Sequence, residues 1–95
     1  MAAYLIADIE VTDPRAYEGY KKAVSESIAS FGGRYLTRGG TTEVLEGQWS
    51  PRRLVIVEFP SIAKLRAWYD SDDYRGPLAI RRRAAVSRFV VVDGV

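Results

Sequence analysis

From Tyr4 to Val11 the chain alternates. Leu5, Ala7, Ile9 and Val11 fall in one register, and Tyr4, Ile6, Asp8 and Glu10 in the other. A period of two predicts a strand with one wholly apolar face and one face carrying two carboxylates. The period then changes. Tyr17, Tyr20, Val24, Ile28 and Phe31 recur at spacings of three and four, the stripe of an amphipathic helix. Asp13-Pro14 supplies its start, a capping carboxylate followed by a residue suited to the first helical position. Gly32-Gly33 supplies its end. Glu18 and Lys22 stand four apart on the outer face and predict an ion pair.

The second half repeats this order. Arg34 to Arg38 and Thr42 to Glu46 read as strand, with Gly39-Gly40 marking either a bulge in one long strand, the favoured reading, or a turn between two short ones, and Gly47 to Pro51 reads as a turn. Arg53 to Phe59 is β-rich, with Val55, Val57 and Phe59 opposite Leu54, Ile56 and Glu58. Pro60-Ser61 opens a helix that uses Ile62, Leu65, Trp68 and Tyr69. Asp70 to Asp73 is a polar break. Tyr74 to Ala85 is helical again, with a kink or restart expected at Gly76-Pro77, and Arg88 to Asp93 is the last strand.

The order βαββαβ predicts an α+β, ferredoxin-like fold, a four-stranded antiparallel sheet with its helices on one face. The 95 residues make one domain, 1–95. The opposite sheet face is left uncovered. It holds Tyr4, Ile6, Leu54 and Ile56, too much apolar surface to face water alone. A second copy packed face to face is the simplest cover, so the expected partner is the chain itself.

Composition narrows the chemistry. There is no cysteine and no histidine, and the only methionine is Met1. Disulfides are excluded, and no structural zinc site is expected. A Ser-His-Asp triad and proximal-histidine haem ligation are excluded with them. No metal or cofactor is therefore expected. Fourteen basic against twelve acidic residues give a net charge of +2, too balanced to argue for nucleic acid or membrane. No apolar run reaches the length of a membrane span and no secretory leader is visible. A cytoplasmic location is expected.

The chain resembles the dimeric α/β barrel superfamily, and within it the short bacterial proteins of the domain of unknown function 1330 family. The resemblance spans nearly the whole chain. It rests on Tyr4 to Asp8, Asp13-Pro14 with Tyr17 and Tyr20, and Gly32-Gly33-Arg34-Tyr35. It continues in Arg38-Gly39-Gly40, Leu45-Glu46-Gly47 with Trp49, and Glu58-Phe59-Pro60-Ser61. It closes on Ala67-Trp68-Tyr69-Asp70-Ser71, Tyr74 and Arg81. It implies two βαββαβ subunits, a dimeric α/β barrel, whose sheets face each other around a shared cavity. It implies no reaction. The wider superfamily includes cofactor-free oxygenases, haem-degrading oxygenases and lactone isomerases. Several of these depend on a histidine that this chain lacks, so neither haem nor a specific activity is carried over. Gly76-Pro77 departs from the family pattern of an uninterrupted helix.

In this topology the first and third strands are neighbours, so Asp8, Glu10 and Glu58 fall on the uncovered face. Clustered carboxylates in a dry site raise one another's pKa, which makes Asp8 and Glu58 the candidate acid/base pair. Arg38, like Arg34, lies on the next strand and is placed to anchor an anionic ligand or to meet these acids. Tyr4, Glu10, Ile56 and a gating Trp49 complete the candidate ligand site for a small metabolite. The competing reading makes the acids inter-subunit ion pairs and Trp49 a packing residue of the dimer. Trp68, Tyr69, Tyr74, Tyr17 and Tyr20 are assigned to the core. Arg81, Arg82 and Arg83 point about 100° apart on a helix and form no basic patch; one is expected to pack on an acidic residue. RNA-recognition modules share the topology, but here the sheet face offers Leu54, Ile56 and Glu58 where bases would stack, so no nucleic-acid partner is expected.

Overall fold

A computed structural model describes residues 1–95. The elements run β1 (Ala3–Val11), α1 (Pro14–Ser30), β2 (Arg34–Arg38), β3 (Leu54–Phe59), α2 (Ile62–Tyr69), α3 (Asp72–Ala84) and β4 (Ala85–Asp93). The four strands form one antiparallel sheet in the order β2-β3-β1-β4. This is the ferredoxin-like βαββαβ arrangement. No helix is long and apolar enough to cross a membrane.

The alternation in β1 and β3 does what its period dictates. Ala3, Leu5, Ala7 and Ile9, with Val55, Val57 and Phe59, are buried beneath the helices. Tyr4, Ile6, Asp8 and Glu10, with Leu54, Ile56 and Glu58, face the other way and are half-buried or exposed. The helices supply the rest of the core. Tyr17, Tyr20, Val24 and Ile28 are buried from α1, Leu65 and Trp68 from α2, and Tyr74 from α3. Trp68 is its centre, with ring centroids 5.5 Å from Phe59 and 4.2 Å from Tyr74. Its indole N–H donates to Ser27 Oγ at 3.0 Å, so the polar edge of a fully buried ring is satisfied.

Helix boundaries follow the caps. Asp13 Oδ1 accepts from Ala16 N at 3.2 Å, and Ser61 Oγ from Lys64 N at 3.1 Å. Gly32 takes φ +79° as α1 ends. The break between α2 and α3 is narrower than the sequence suggests. Ser71 both donates to Trp68 O at 2.7 Å and accepts from Tyr74 N at 3.2 Å, so α3 already starts at Asp72. The expected interruption at Gly76-Pro77 does not occur. Pro77 sits near the start of the helix, where the carbonyl it leaves unbonded belongs to exposed Asp73 and can turn to water.

Four other expectations are corrected. Thr42 to Glu46 is not a strand. Gly39, at φ +74°, turns the chain and its N–H closes on Leu54 O at 2.8 Å, after which residues 39–53 run without regular structure. The bulge lies earlier, at Leu36, where the β2–β3 register shifts between Tyr35 and Thr37. The last strand begins at Ala85, directly at the end of α3. Glu18 pairs with Lys21 at 3.2 Å instead of with Lys22.

Arg81 also differs from expectation. It is the buried member of the arginine triplet, and no carboxylate meets it. Its guanidinium lies 4.1 Å from the Phe89 ring centroid, and its Nε donates to Tyr74 Oη at 3.2 Å. Tyr74 Oη in turn shares a hydrogen bond of 3.1 Å with Tyr20 Oη. Burial, then the neighbouring Tyr74 hydroxyl, holds the Tyr20 pKa well above the ordinary phenol value, so Tyr20 stays a neutral hydroxyl in this chain of bonds.

Candidate functional site

The uncovered sheet face is where the loop 39–53 returns. Asp8 lies on β1, directly opposite Leu54 on β3 and Arg88 on β4. The loop folds back onto it. Trp49 Nε1 donates to Asp8 Oδ2 at 2.9 Å, and Arg52 N donates to Asp8 Oδ1 at 2.9 Å. Both carboxylate oxygens therefore have protein donors. The Trp49 bond, with the backbone donors of Arg52 and Arg53 and the charge of Arg88, holds the Asp8 pKa below 3.8 against the opposing effect of burial.

Trp49 is 54% exposed, yet its ring is fixed at the N–H edge. It stands between two clefts. One, of about 290 Å³, is bordered by Asp8, Glu10, Gln48, Arg52, Val86 and Arg88. The other, of about 250 Å³, is floored by Ile6 and Val90 between Asp8 and Arg88. Arg88 borders both and makes no salt bridge.

Glu58 is elsewhere on the same face. It stands opposite Tyr4 and accepts from Arg34 Nε at 2.7 Å. That bond and the charge of Arg34 hold its pKa below the ordinary carboxylate value. Glu58 is in register with Tyr4 and Asp8 lies four residues further along β1, about 13 Å away at strand spacing. The two acids are not neighbours within one subunit, and each is stabilised as the anion.

The structure thus brings Asp8, Glu10 and Trp49 together and places Tyr4, Ile56 and Glu58 on the same face at a distance. Arg38 is not with them. The extra residue at Leu36 inverts the alternation of β2, so Arg38 stands opposite Val55 on the helix side. There its Nη2 donates to Lys21 O at 2.9 Å. The residues that sequence reasoning missed are Arg88 and Arg52. Arg88 has a signal, the alternation of Val86, Arg88, Val90 and Val92 in β4. Arg52 has none, because it acts through its backbone N–H. No group of three carboxylates converges as a metal-ligand set.

The chain belongs to the family described as Domain of unknown function (DUF1330), which matches residues 2–95. No curated protein sequence matches it. Among solved structures it is similar to a protein of unknown function from Rhodopseudomonas palustris, with 19% identity and a TM-score of 0.78 over 99% of this chain and 82% of that one. It is similar to SnoaB, a cofactor-independent oxygenase from Streptomyces nogalater, at 10% identity and a TM-score of 0.69 over 99% and 93%. A dimeric ferredoxin-like protein of unknown function from Thermobifida fusca shows 19% identity and a TM-score of 0.66 over 99% and 92%. At these identities the likeness is one of fold.

Proposed function

We propose that this DUF1330 member is a homodimer that binds a small metabolite between its two open sheet faces. The observation that carries the reading is the Trp49 ring, pinned by Asp8 between two clefts on a face with too much apolar surface to be left in water. Ile6, Ile56, Val86, Val90 and Val92 lie on that face, and the last three are 47–64% exposed in the single chain. Apposing two such faces buries the valines and encloses the clefts. Trp49 and Arg88 then offer a flat aromatic surface and a guanidinium with no carboxylate partner. Tyr4, Glu10 and Ile56 lie around them as walls of the same space.

Asp8 and Glu58 enter this reading as anions that set shape and charge. Each has a lowered pKa and hydrogen-bonding partners within its own subunit, so neither is poised to exchange a proton near neutral pH. The same two observations favour the second reading, a purely structural dimer with no ligand. The names of the oxygenase and of the dimeric protein among the similar structures fit a dimer with cofactor-free chemistry, and that chemistry remains a statement about those proteins.

The test joins assembly to binding. Sedimentation at micromolar concentration is expected to give about twice the 10.6 kDa chain mass. Ile56→Asp is expected to dissociate or unfold the protein, because it places a charge in the apposed faces. A metabolite panel screened by thermal shift is expected to yield a saturable stabilisation. A monomeric parent, or an intact Ile56→Asp dimer, refutes the assembly. An intact dimer that no member of the panel stabilises leaves the structural reading standing alone.

A further inference from the structure

On the other side of the sheet, beneath α1, three cations meet at the mouth of an apolar crevice. Its inner walls include Ala7, Ile9, Val24 and Val55, and the Trp68 ring lies among them. Lys21, Arg38 and Arg53 stand at its edge together with Tyr17 and Tyr35, and no carboxylate lines it. The Arg38 guanidinium lies 4.7 Å from the Tyr35 ring centroid, and that of Arg53 lies 5.7 Å from the Tyr17 centroid. Arg53 Nε is fully buried and has no acceptor. Gly39 makes this position possible, since a Cβ there would stand 2.5 Å from Arg53 Nη1.

A buried guanidinium N–H without an acceptor is costly, and no neighbouring acid offsets it. Three acids that could be thought to serve it are engaged elsewhere. Glu18 holds Lys21 from the outer surface, and Asp8 and Glu58 are on the far side of the sheet. We infer that this crevice is a second ligand site, inside each subunit, for a small carboxylate with a flat apolar body. The carboxylate takes the donors of Arg53 and Arg38 in a charge-assisted contact, with Lys21 beside them. The apolar body lies between the Tyr17 and Tyr35 rings and points toward Val24 and Trp68. Burial raises the Tyr17 pKa, so its hydroxyl stays a neutral donor beside the anion. The crevice has about 20 Å³ of free space, room for roughly one water. The ligand therefore enters by displacing the two guanidinium groups from the tyrosine faces and replacing them there.

This site does not depend on the dimer, and the chain contains its own reporter. It has two tryptophans. Trp49→Phe leaves Trp68, in the crevice wall, as the only indole, so a fluorescence change on titration locates binding on the helix side of the sheet. Benzoate is expected to give a saturable change in Trp68 emission below about 10 mM. Benzamide, which lacks the charge, and acetate, which lacks the ring, are each expected to bind at least about tenfold more weakly. Arg53→Met and Arg38→Met are each expected to weaken benzoate by about tenfold or more, with Arg53→Lys intermediate and Arg34→Met unchanged. No saturable signal with benzoate overturns the inference. So do benzamide or acetate binding as tightly as benzoate, or both methionine variants binding as the parent does.

Discussion

Asp8→Asn tests the clasp on the open sheet face with the least change of shape. The carboxylate accepts two N–H bonds at 2.9 Å, one on each oxygen. An asparagine keeps one acceptor oxygen and turns an NH2 group toward the other donor, so one bond is lost and the other loses its charge. Hydrogen bonds to charged groups contribute about 1.5–3 kcal/mol when shielded. Here Asp8 is half-buried and Trp49 and Arg52 are exposed, so water replaces part of the loss, and about 1 kcal/mol is expected. The assay is urea unfolding of both proteins across pH, with the slopes compared to confirm the same unfolding reaction. The folded pKa of Asp8 is depressed below 3.8. Its contribution is therefore complete above 3.8 and is lost as pH falls through the lower folded value. The gap between parent and variant is expected to be constant from about pH 5 upward and to close in strong acid. Glu58 has a lowered pKa too, but it titrates alike in both proteins and cancels from the difference. Equal stability at neutral pH, or a gap that does not narrow as the pH falls below 3.8, would refute the clasp.

Two further substitutions probe the interior and the turn. Tyr74→Phe removes the oxygen that accepts from Arg81 Nε and bonds Tyr20, leaving a buried guanidinium donor without a partner; a loss of about 1–3 kcal/mol is expected by urea unfolding, and a neutral result would mean water already serves Arg81. Gly39→Ala places a side chain at φ +74° and against Arg53 Nη1, so about 1–2 kcal/mol of destabilisation is expected, and wild-type stability would show that the loop re-forms at no cost.

The sequence is informative where one face of an element is buried and the other is not. The alternation of Leu5, Ala7 and Ile9 against Ile6 and Asp8 leaves β1 only one way to lie, and the same holds for Val55 and Val57 against Ile56 and Glu58 in β3. The caps at Asp13 and Ser61 are local chemistry and are read locally. The stretch Thr42 to Glu46 has its two apolar residues, Val44 and Leu45, side by side, no strand pairs with it, and every residue in it is exposed. Strand pairing is a property of two segments, and one segment cannot announce the absence of the other. The bulge at Leu36 carries no glycine to mark it, so the side of the sheet on which Arg38 emerges was not legible. The same limit hid the clasp, since Trp49 and Asp8 are 41 residues apart and meet only after the loop returns.

The two faces of this sheet handle charge in opposite ways. On the open face Asp8 and Glu58 each have donors of their own, and the one cation in both clefts is Arg88. On the helix side Arg38 and Arg53 have aromatic faces and no acid. The loop joins the two arrangements through adjacent residues. Arg52 gives its N–H to Asp8, while the next carbonyl, of Arg53, accepts from Ile9 N at 3.0 Å and the Arg53 side chain passes to the other side. Successive strand residues face opposite ways, so one short stretch of backbone sets both a carboxylate on one face and a guanidinium on the other. The two arrangements meet where β3 begins, at one end of a loop that Gly39 N and the Trp49 indole also tie to the sheet.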